Sequence, residues 1–138
     1  MKKGDWIELR DAPNTRGIIR ARFTAQGKIA VHLSGDPVYT LIDLTVLREH
    51  WESMQFEGKP IPYWCRPKSR FKRRHYGEGE LKAEVEEVKP GWVAWHHVAK
   101  NGRRGRFCMT QWWEFRETWD PVKPPSAWEH LLHGDDDA

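Results

Sequence analysis

The sequence predicts a mainly β protein: two small β units in tandem, each closed by a short helix, with one more helix near the C-terminal end. Three observations carry this. Apolar residues recur with period two in short stretches, the mark of half-buried strands. Gly and Pro interrupt nearly every window long enough for a helix. A length of 138 residues suits one ordinary domain or two very small ones.

Residues 1–52 form the first predicted unit. Ile7 and Leu9 alternate with Trp6, Glu8 and Arg10 as a first strand, and "DAPNTRG" is a turn cluster. Ile19, Ala21 and Phe23 then alternate with Arg20 and Arg22, and "AQG" turns the chain. Ile29, Val31 and Leu33 face one way, Lys28, Ala30 and His32 the other. "SGDP" turns the chain again, and "VYTL" is a fourth short strand. In "IDLTVLREHW" the period changes, and Leu44, Leu47 and Trp51 fall at helical spacing. Residues 53–60, with Gly58 and Pro60, read as a linker.

The second predicted unit covers residues 61–122 and repeats the plan. "YWC" is a strand, followed by a long basic loop. Leu81, Ala83 and Val85 alternate with Lys82, Glu84 and Glu86, and "KPG" turns the chain into "WVAWHHVAK". Asn101-Gly102 signals a hairpin of type I′, which needs positive φ at both residues. "RFCMT" returns, Thr110 caps a short helix carrying Trp112, Trp113 and Phe115, and "TWDPV" ends the unit. The two halves share a pattern without a residue-by-residue repeat. Residues 123–138 read as a C-terminal helix and an acidic tail. Ser126 and Glu129 have capping-box spacing, and Gly134 suits the far end. Trp128, Leu131 and Leu132 share one face, which docks on its own domain or on a partner.

The net charge of +3 hides an asymmetry, because Glu129, Asp135, Asp136 and Asp137 leave the remainder more basic than the whole. A basic body favours anionic partners, and the tail either competes for that body or is a solvated end. Two cysteines are too few for a disulfide framework and form no CxxC pair, so a reducing compartment is expected. The first twenty or so residues lack the apolar core of a secretory signal. No run reaches the ~20 apolar residues of a membrane span. A cytoplasmic protein without membrane contact is the expectation, with its oligomeric state open.

"KGDWIELRDAPNTRGIIRARF" followed by "KIAVHL" resembles the opening of SH3-like barrels of the KOW and Tudor-like type. Gly4 and Gly17 stand where those barrels place a Gly-led first strand and a second Gly before a curved strand. "VEEVKPGWVAWHHVAKNGRRGRFCMTQWWEFRETWDP" is similar to small SH3-like domains of phage and prophage accessory proteins. There a Trp-rich hairpin leads to a short helix and a final strand. The resemblance implies two SH3-like barrel units in tandem, a binding module for nucleic acid or protein, and no catalytic residue. The long basic loop after Tyr63 and the extra C-terminal helix depart from that pattern.

In "RPKSRFKRRHYGEGE", Arg66, Lys68, Arg70, Lys72, Arg73 and Arg74 stand with no carboxylate among them. In an extended segment Arg66, Lys68, Arg70 and Lys72 project to one side, a line that fits a phosphate backbone. Phe71 and Tyr76 are the candidate stacking rings, and Arg103, Arg104 and Arg106 form a second cluster. Two other readings stay open: an acidic protein surface as partner, or neutralisation by Glu78, Glu80, Glu84, Glu86 and Glu87 across neighbouring strands.

Nine Trp residues are more than one small barrel hides. Trp92 and Trp95 fall on opposite strand faces, and Trp112 and Trp113 are adjacent in a helix. With Trp128, Leu131 and Leu132 they are candidate protein-binding anchors, the surface a phage-type accessory protein would use to inhibit a host protein. A domain–domain interface is the plainer reading. His96 and His97 point to opposite strand faces and cannot share one metal. No ligand spacing marks a metal site, and no nucleophile motif or phosphate-cradling Gly loop marks an enzyme. No cofactor is expected.

Overall fold

The computed structural model describes residues 1–74, 82–123, 126, 127 and 131. Among them lie ten strands in two five-stranded antiparallel sheets, with two short helices. The chain divides into unit 1, Met1–Gln55 with Arg106–Met109, and unit 2, Phe56–Gly105 with Thr110–Ala138. Tyr76, Trp128, Leu132, the Ser126–Glu129 capping box and the acidic tail lie wholly or partly outside the described residues. No helix among the described residues is long and apolar enough to cross a membrane.

Unit 1 contains β1 (Trp6–Leu9), β2 (Ala12–Phe23), β3 (Lys28–Leu33) and β4 (Thr40–Asp43), then α1 (Leu44–His50) and β5 (Trp51–Ser53). The sheet order is β4-β3-β2-β1-β5, so the last strand returns to pair with the first. "DAPNTRG" is not the expected turn. β1 and β2 pair with Leu9 opposite Ala12, so Arg10 and Asp11 alone turn the chain and β2 starts at once. The period-two pattern of β2 breaks at Arg20, where the register against β3 shifts between Ile19 and Ala21. This bulge turns Ala21 and Phe23 to the face opposite Ile19 and leaves Phe23 exposed, while Ile18 and Ile19 before it are both buried. Gly17 has a steric reason: an added Cβ would lie 2.6 Å from Val31 Cγ1 and 3.0 Å from the His32 carbonyl oxygen.

Unit 2 is built on the second sheet, ordered β10-β6-β7-β8-β9. Its strands are β6 (Arg70–Arg73), β7 (Lys82–Lys89), β8 (Trp92–Val98), β9 (Arg104–Gln111) and, after α2 (Trp112–Thr118), β10 (Trp119–Pro121). Arg106–Met109 of β9 are part of unit 1, in which the Phe107 N–H donates to the Asp36 carbonyl and the Phe107 carbonyl accepts from Gly35 N–H. "YWC" is not a strand; residues 63–65 are turn and bend. The first strand of unit 2 lies inside the basic run instead. The Asn101-Gly102 hairpin forms, but only Gly102 has positive φ. Gly102 N–H donates to the Ala99 carbonyl and Ala99 N–H to the Arg103 carbonyl, a three-residue loop with Gly in the left-handed region rather than type I′. Thr110 does not cap α2, whose N-cap is Gln111; its hydroxyl accepts from Trp95 Nε1 at 3.0 Å.

The two units repeat one hydrogen-bonded frame. Arg10 N–H donates to the His50 carbonyl as Arg74 N–H donates to that of Thr118, both at 2.9 Å. Met54 N–H to Trp6 matches Val122 N–H to Arg70, and Leu44 N–H to Gly27 matches Trp112 N–H to Gly91. The register shift of β2 against β3 recurs in β7 against β8, between Val85 and Glu87. Each helix has seven residues and runs straight into a three-residue strand that opens with a buried Trp. "LREHWE" and "FRETWD" carry this corner, a local sequence echo that period-two reading passes over.

The same positions build both cores from different side chains. Unit 1 packs Ile7, Ile19, Ile29, Val31, Leu47 and Trp51 together. Their counterparts in the frame of unit 2 are Phe71, Val85, Val93, Trp95, Phe115 and Trp119, all buried. Ring centroids there lie 4.8 Å apart for Phe71–Phe115, 5.6 Å for Trp95–Phe115 and 5.3 Å for Trp95–Trp119. Edge-on and tilted pairs of this kind add stability beyond the area they bury. Much of the Trp content is therefore interior: Trp6, Trp51, Trp95, Trp112 and Trp119 are all buried.

Candidate nucleic-acid interface

The basic run is not one extended line. Residues 66–69 form a turn in which Ser69 N–H donates to the Arg66 carbonyl at 3.0 Å. Pro67 stands second and Lys68 third with φ of 75°, the marks of a type II turn. The Ser69 hydroxyl accepts from Arg66 N–H and donates to the Trp64 carbonyl. Lys68 N–H donates to the Val85 carbonyl at 2.8 Å and Val85 N–H to that of Ser69 at 2.9 Å, so β7 holds the turn in place. Third position of a type II turn is normally Gly or Asn, since a Cβ there costs roughly 1–2 kcal/mol. Lys68 is the one non-glycine residue with positive φ among the described residues.

This turn forms one side of a cleft of about 330 Å³ in unit 2. Arg66, Lys68, Arg70 and Lys123 supply four cations to its lining. Tyr63 and Trp64, both half-buried, supply aromatic surface, and no carboxylate among the described residues contributes. Arg66, Lys68 and Lys123 are exposed and make no ion pair within the described residues. Cations outside any ion pair among the described residues, set beside an aromatic wall, suit an anion that carries a flat ring.

The remaining basic residues are partly spoken for. Arg70 Nε lies 3.1 Å from Glu84 Oε1, and Arg74 lies 3.0 Å from Asp120 Oδ1. The Arg73 guanidinium sits over the Trp119 ring at 6.0 Å. Lys72 is half-buried in β6, opposite Lys82 and Asp120. Arg103 is exposed at the hairpin; Arg104 pairs with Glu86 at 2.7 Å; Arg106 belongs to unit 1. Neutralisation by a carboxylate on the neighbouring strand is seen for Arg70, and Arg104 reaches Glu86 across β8; Glu78 and Glu80 lie outside the described residues. His96 lies between the two carboxylates, 3.3 Å from Glu84 and 3.8 Å from Glu86, with Arg104 within 3.3 Å of its Nδ1. Arg70, Glu84, His96, Glu86 and Arg104 thus make a charge ladder across β6, β7, β8 and β9. His97, on the opposite face, packs its ring against Trp95 and Trp119.

Phe71 does not offer a ring for stacking on a base: it is fully buried, because in β6 its side faces the core while Arg70 and Lys72 face out. Of the Trp candidates, Trp95 and Trp112 are core residues and Trp92 is half-buried. Trp113 is 58% exposed, its Nε1 donating to Gln111 Oε1, and Leu131 is exposed too. Each adjacent or opposed Trp pair thus splits as the spacing requires. The residues missed by sequence reasoning are Tyr63, Trp64, Ser69 and Lys123. Their signal was position: an aromatic pair stands directly before the basic run.

Trp64 is braced from behind. The Arg116 guanidinium lies 5.0 Å from its ring centroid, and Trp112 meets it edge-on at 5.5 Å. Beside it Cys65 is buried, which pushes its thiol up to about 12, with Arg116 drawing it back. A thiol held neutral in this way is no nucleophile at ordinary pH. No group of three His, Cys, Asp or Glu side chains among the described residues is arranged to hold a metal ion. The chain matches no known family model and no curated protein.

Proposed function

We propose that the protein is a non-enzymatic nucleic-acid-binding module made of two SH3-like units, in which unit 2 grips the phosphate backbone. One observation carries this reading: the cleft whose lining combines four cations, three of them outside any ion pair among the described residues, with aromatic rings and no carboxylate from those residues. The order of strands supports the SH3-like part. Each unit runs through four strands, a short helix and a final strand that pairs with the first. Arg66, Lys68 and Lys123 contact phosphate, Lys72 and Arg103 extend the positive surface, and aromatic rings of the cleft face a base.

A salt titration of binding to single- and double-stranded DNA and RNA tests it. Phosphate contacts release counterions, so each lost contact lowers the salt slope by about one. Three to five contacts predict a loss of roughly 20- to 500-fold in affinity between 50 and 200 mM salt. Absence of binding to any nucleic acid at low salt rejects the proposal and turns attention to Trp113 as a protein anchor.

A further inference from the structure

We infer that the unit 2 cleft is a single-nucleotide site for single-stranded nucleic acid, with the base against Tyr63 and Trp64 and its phosphate on Arg66, Lys68 and Lys123. The inference rests on the nucleic-acid reading above and names the part of the ligand that enters.

Size comes first. At about 330 Å³ the cleft is at the small end of ligand pockets, roughly 300–1,000 Å³. It takes one base with its sugar and phosphate, not a helix. Chemistry comes second. Phosphate contact alone needs only cations on an open surface, whereas this cleft also carries Tyr63 and Trp64. Bases in a duplex are stacked on one another and present no face to a protein ring. An unstacked base in a single strand does, and stacking of this kind is tolerant of base identity.

The third argument is Lys68. The frame repeated in unit 1 places Gly4 at the same point, with φ of 92° and its N–H donating to the Ile19 carbonyl at 2.8 Å. Lys68 makes the equivalent bond to Val85 at the same distance, with φ of 75°. The fold therefore asks for glycine here, and unit 2 carries a lysine against that preference. Backbone strain at a residue lining a cleft is of the kind that clusters at ligand clamps. Arg70 is a poorer phosphate ligand, because Glu84 already holds it.

The test uses the full chain and dye-labelled oligothymidylate and oligouridylate, followed by fluorescence anisotropy. Each is compared with an abasic oligomer of equal length and charge, and with a duplex. The site predicts that abasic strands and duplex bind at least about fivefold more weakly, the lower bound for loss of one stacked base. It also predicts that Lys68→Gly weakens binding to the normal strands and lowers the salt slope by about one. Equal affinity for normal and abasic strands overturns the single-nucleotide site while leaving the phosphate grip standing. Failure to bind any of the oligomers overturns both.

Discussion

Unit 1 and unit 2 hold the same frame with different contents. The backbone hydrogen bonds at the first turn, at the helix start and at the returning strand correspond one for one. The six core positions do not: unit 1 is almost wholly aliphatic, unit 2 mostly aromatic. The sheet faces that carry His32 and His96 differ as well. Ile18 and Arg20 beside His32 become Glu84 and Glu86 beside His96. His32 stacks on Phe107 with centroids 4.2 Å apart and shares a hydrogen bond with the Asp36 carbonyl, whereas His96 is clasped by two carboxylates. Backbone pairing evidently fixes this fold over a wide choice of side chains, provided volume and patterning are kept. That freedom lets the turn at residues 66–69 carry charge without altering the strands behind it.

The correspondence breaks most severely in the cores. Phe71→Ala is expected to cost about 3–5 kcal/mol and Ile7→Ala about 2–5 kcal/mol, read from urea unfolding. Both side chains are fully buried at the same point of the frame. A near-neutral Phe71→Ala would show that unit 2 does not depend on its aromatic core.

A smaller effect separates Gly17 from its counterpart Ala83. Gly17→Ala drives a Cβ against Val31 and the His32 carbonyl oxygen, so it is expected to lose about 1–3 kcal/mol. Ala83→Gly removes a buried methyl and loosens a strand, for about 1 kcal/mol. Thermal unfolding of the two variants checks the order; equal small losses would mean that β3 gives way freely at Gly17.

The thiols give an effect that is absent at neutral pH. In the folded chain Cys65 keeps its proton to about 12, against an ordinary value of 9.0. Between those values the folded state binds the proton that the unfolded state has released, so stability falls as pH rises from 9 towards 12. Below 9 the contribution is fully present. Cys65→Ala should flatten that part of the stability curve. Cys108, half-exposed and raised less decisively by burial with Arg106 opposing, should be alkylated before Cys65.

Much of this was legible in the sequence. Turns at "AQG", "SGDP" and "KPG" each coincide with a positive-φ glycine, Gly27, Gly35 and Gly91. The first short helix stands where apolar spacing changes period, though it stops before Trp51, and the second carries Trp112, Trp113 and Phe115 as expected. β6 was not legible, because "RFKR" shows one apolar residue and its charged neighbours read as loop. The repeated plan was legible, but its residue-by-residue correspondence was not, because it lives in backbone hydrogen bonds across loops of unequal length, with only the Arg-Glu-x-Trp-acid corner shared in letters. The cleft was half legible. Three of its four cations are in the basic run, but Lys123 is not, Phe71 is in the core, and Trp64 lines the cleft through a turn that spacing does not announce.

Lys68→Gly bears most directly on the claim that unit 2 adds phosphate binding to a frame that unit 1 holds without strain. Its unfolding free energy and its affinity for single-stranded oligonucleotide should be measured on the same preparation. Relief of the left-handed backbone is expected to raise stability by about 1 kcal/mol, while loss of the cation weakens binding severalfold and lowers the salt slope by about one. Unchanged affinity, with or without the gain in stability, would contradict the account.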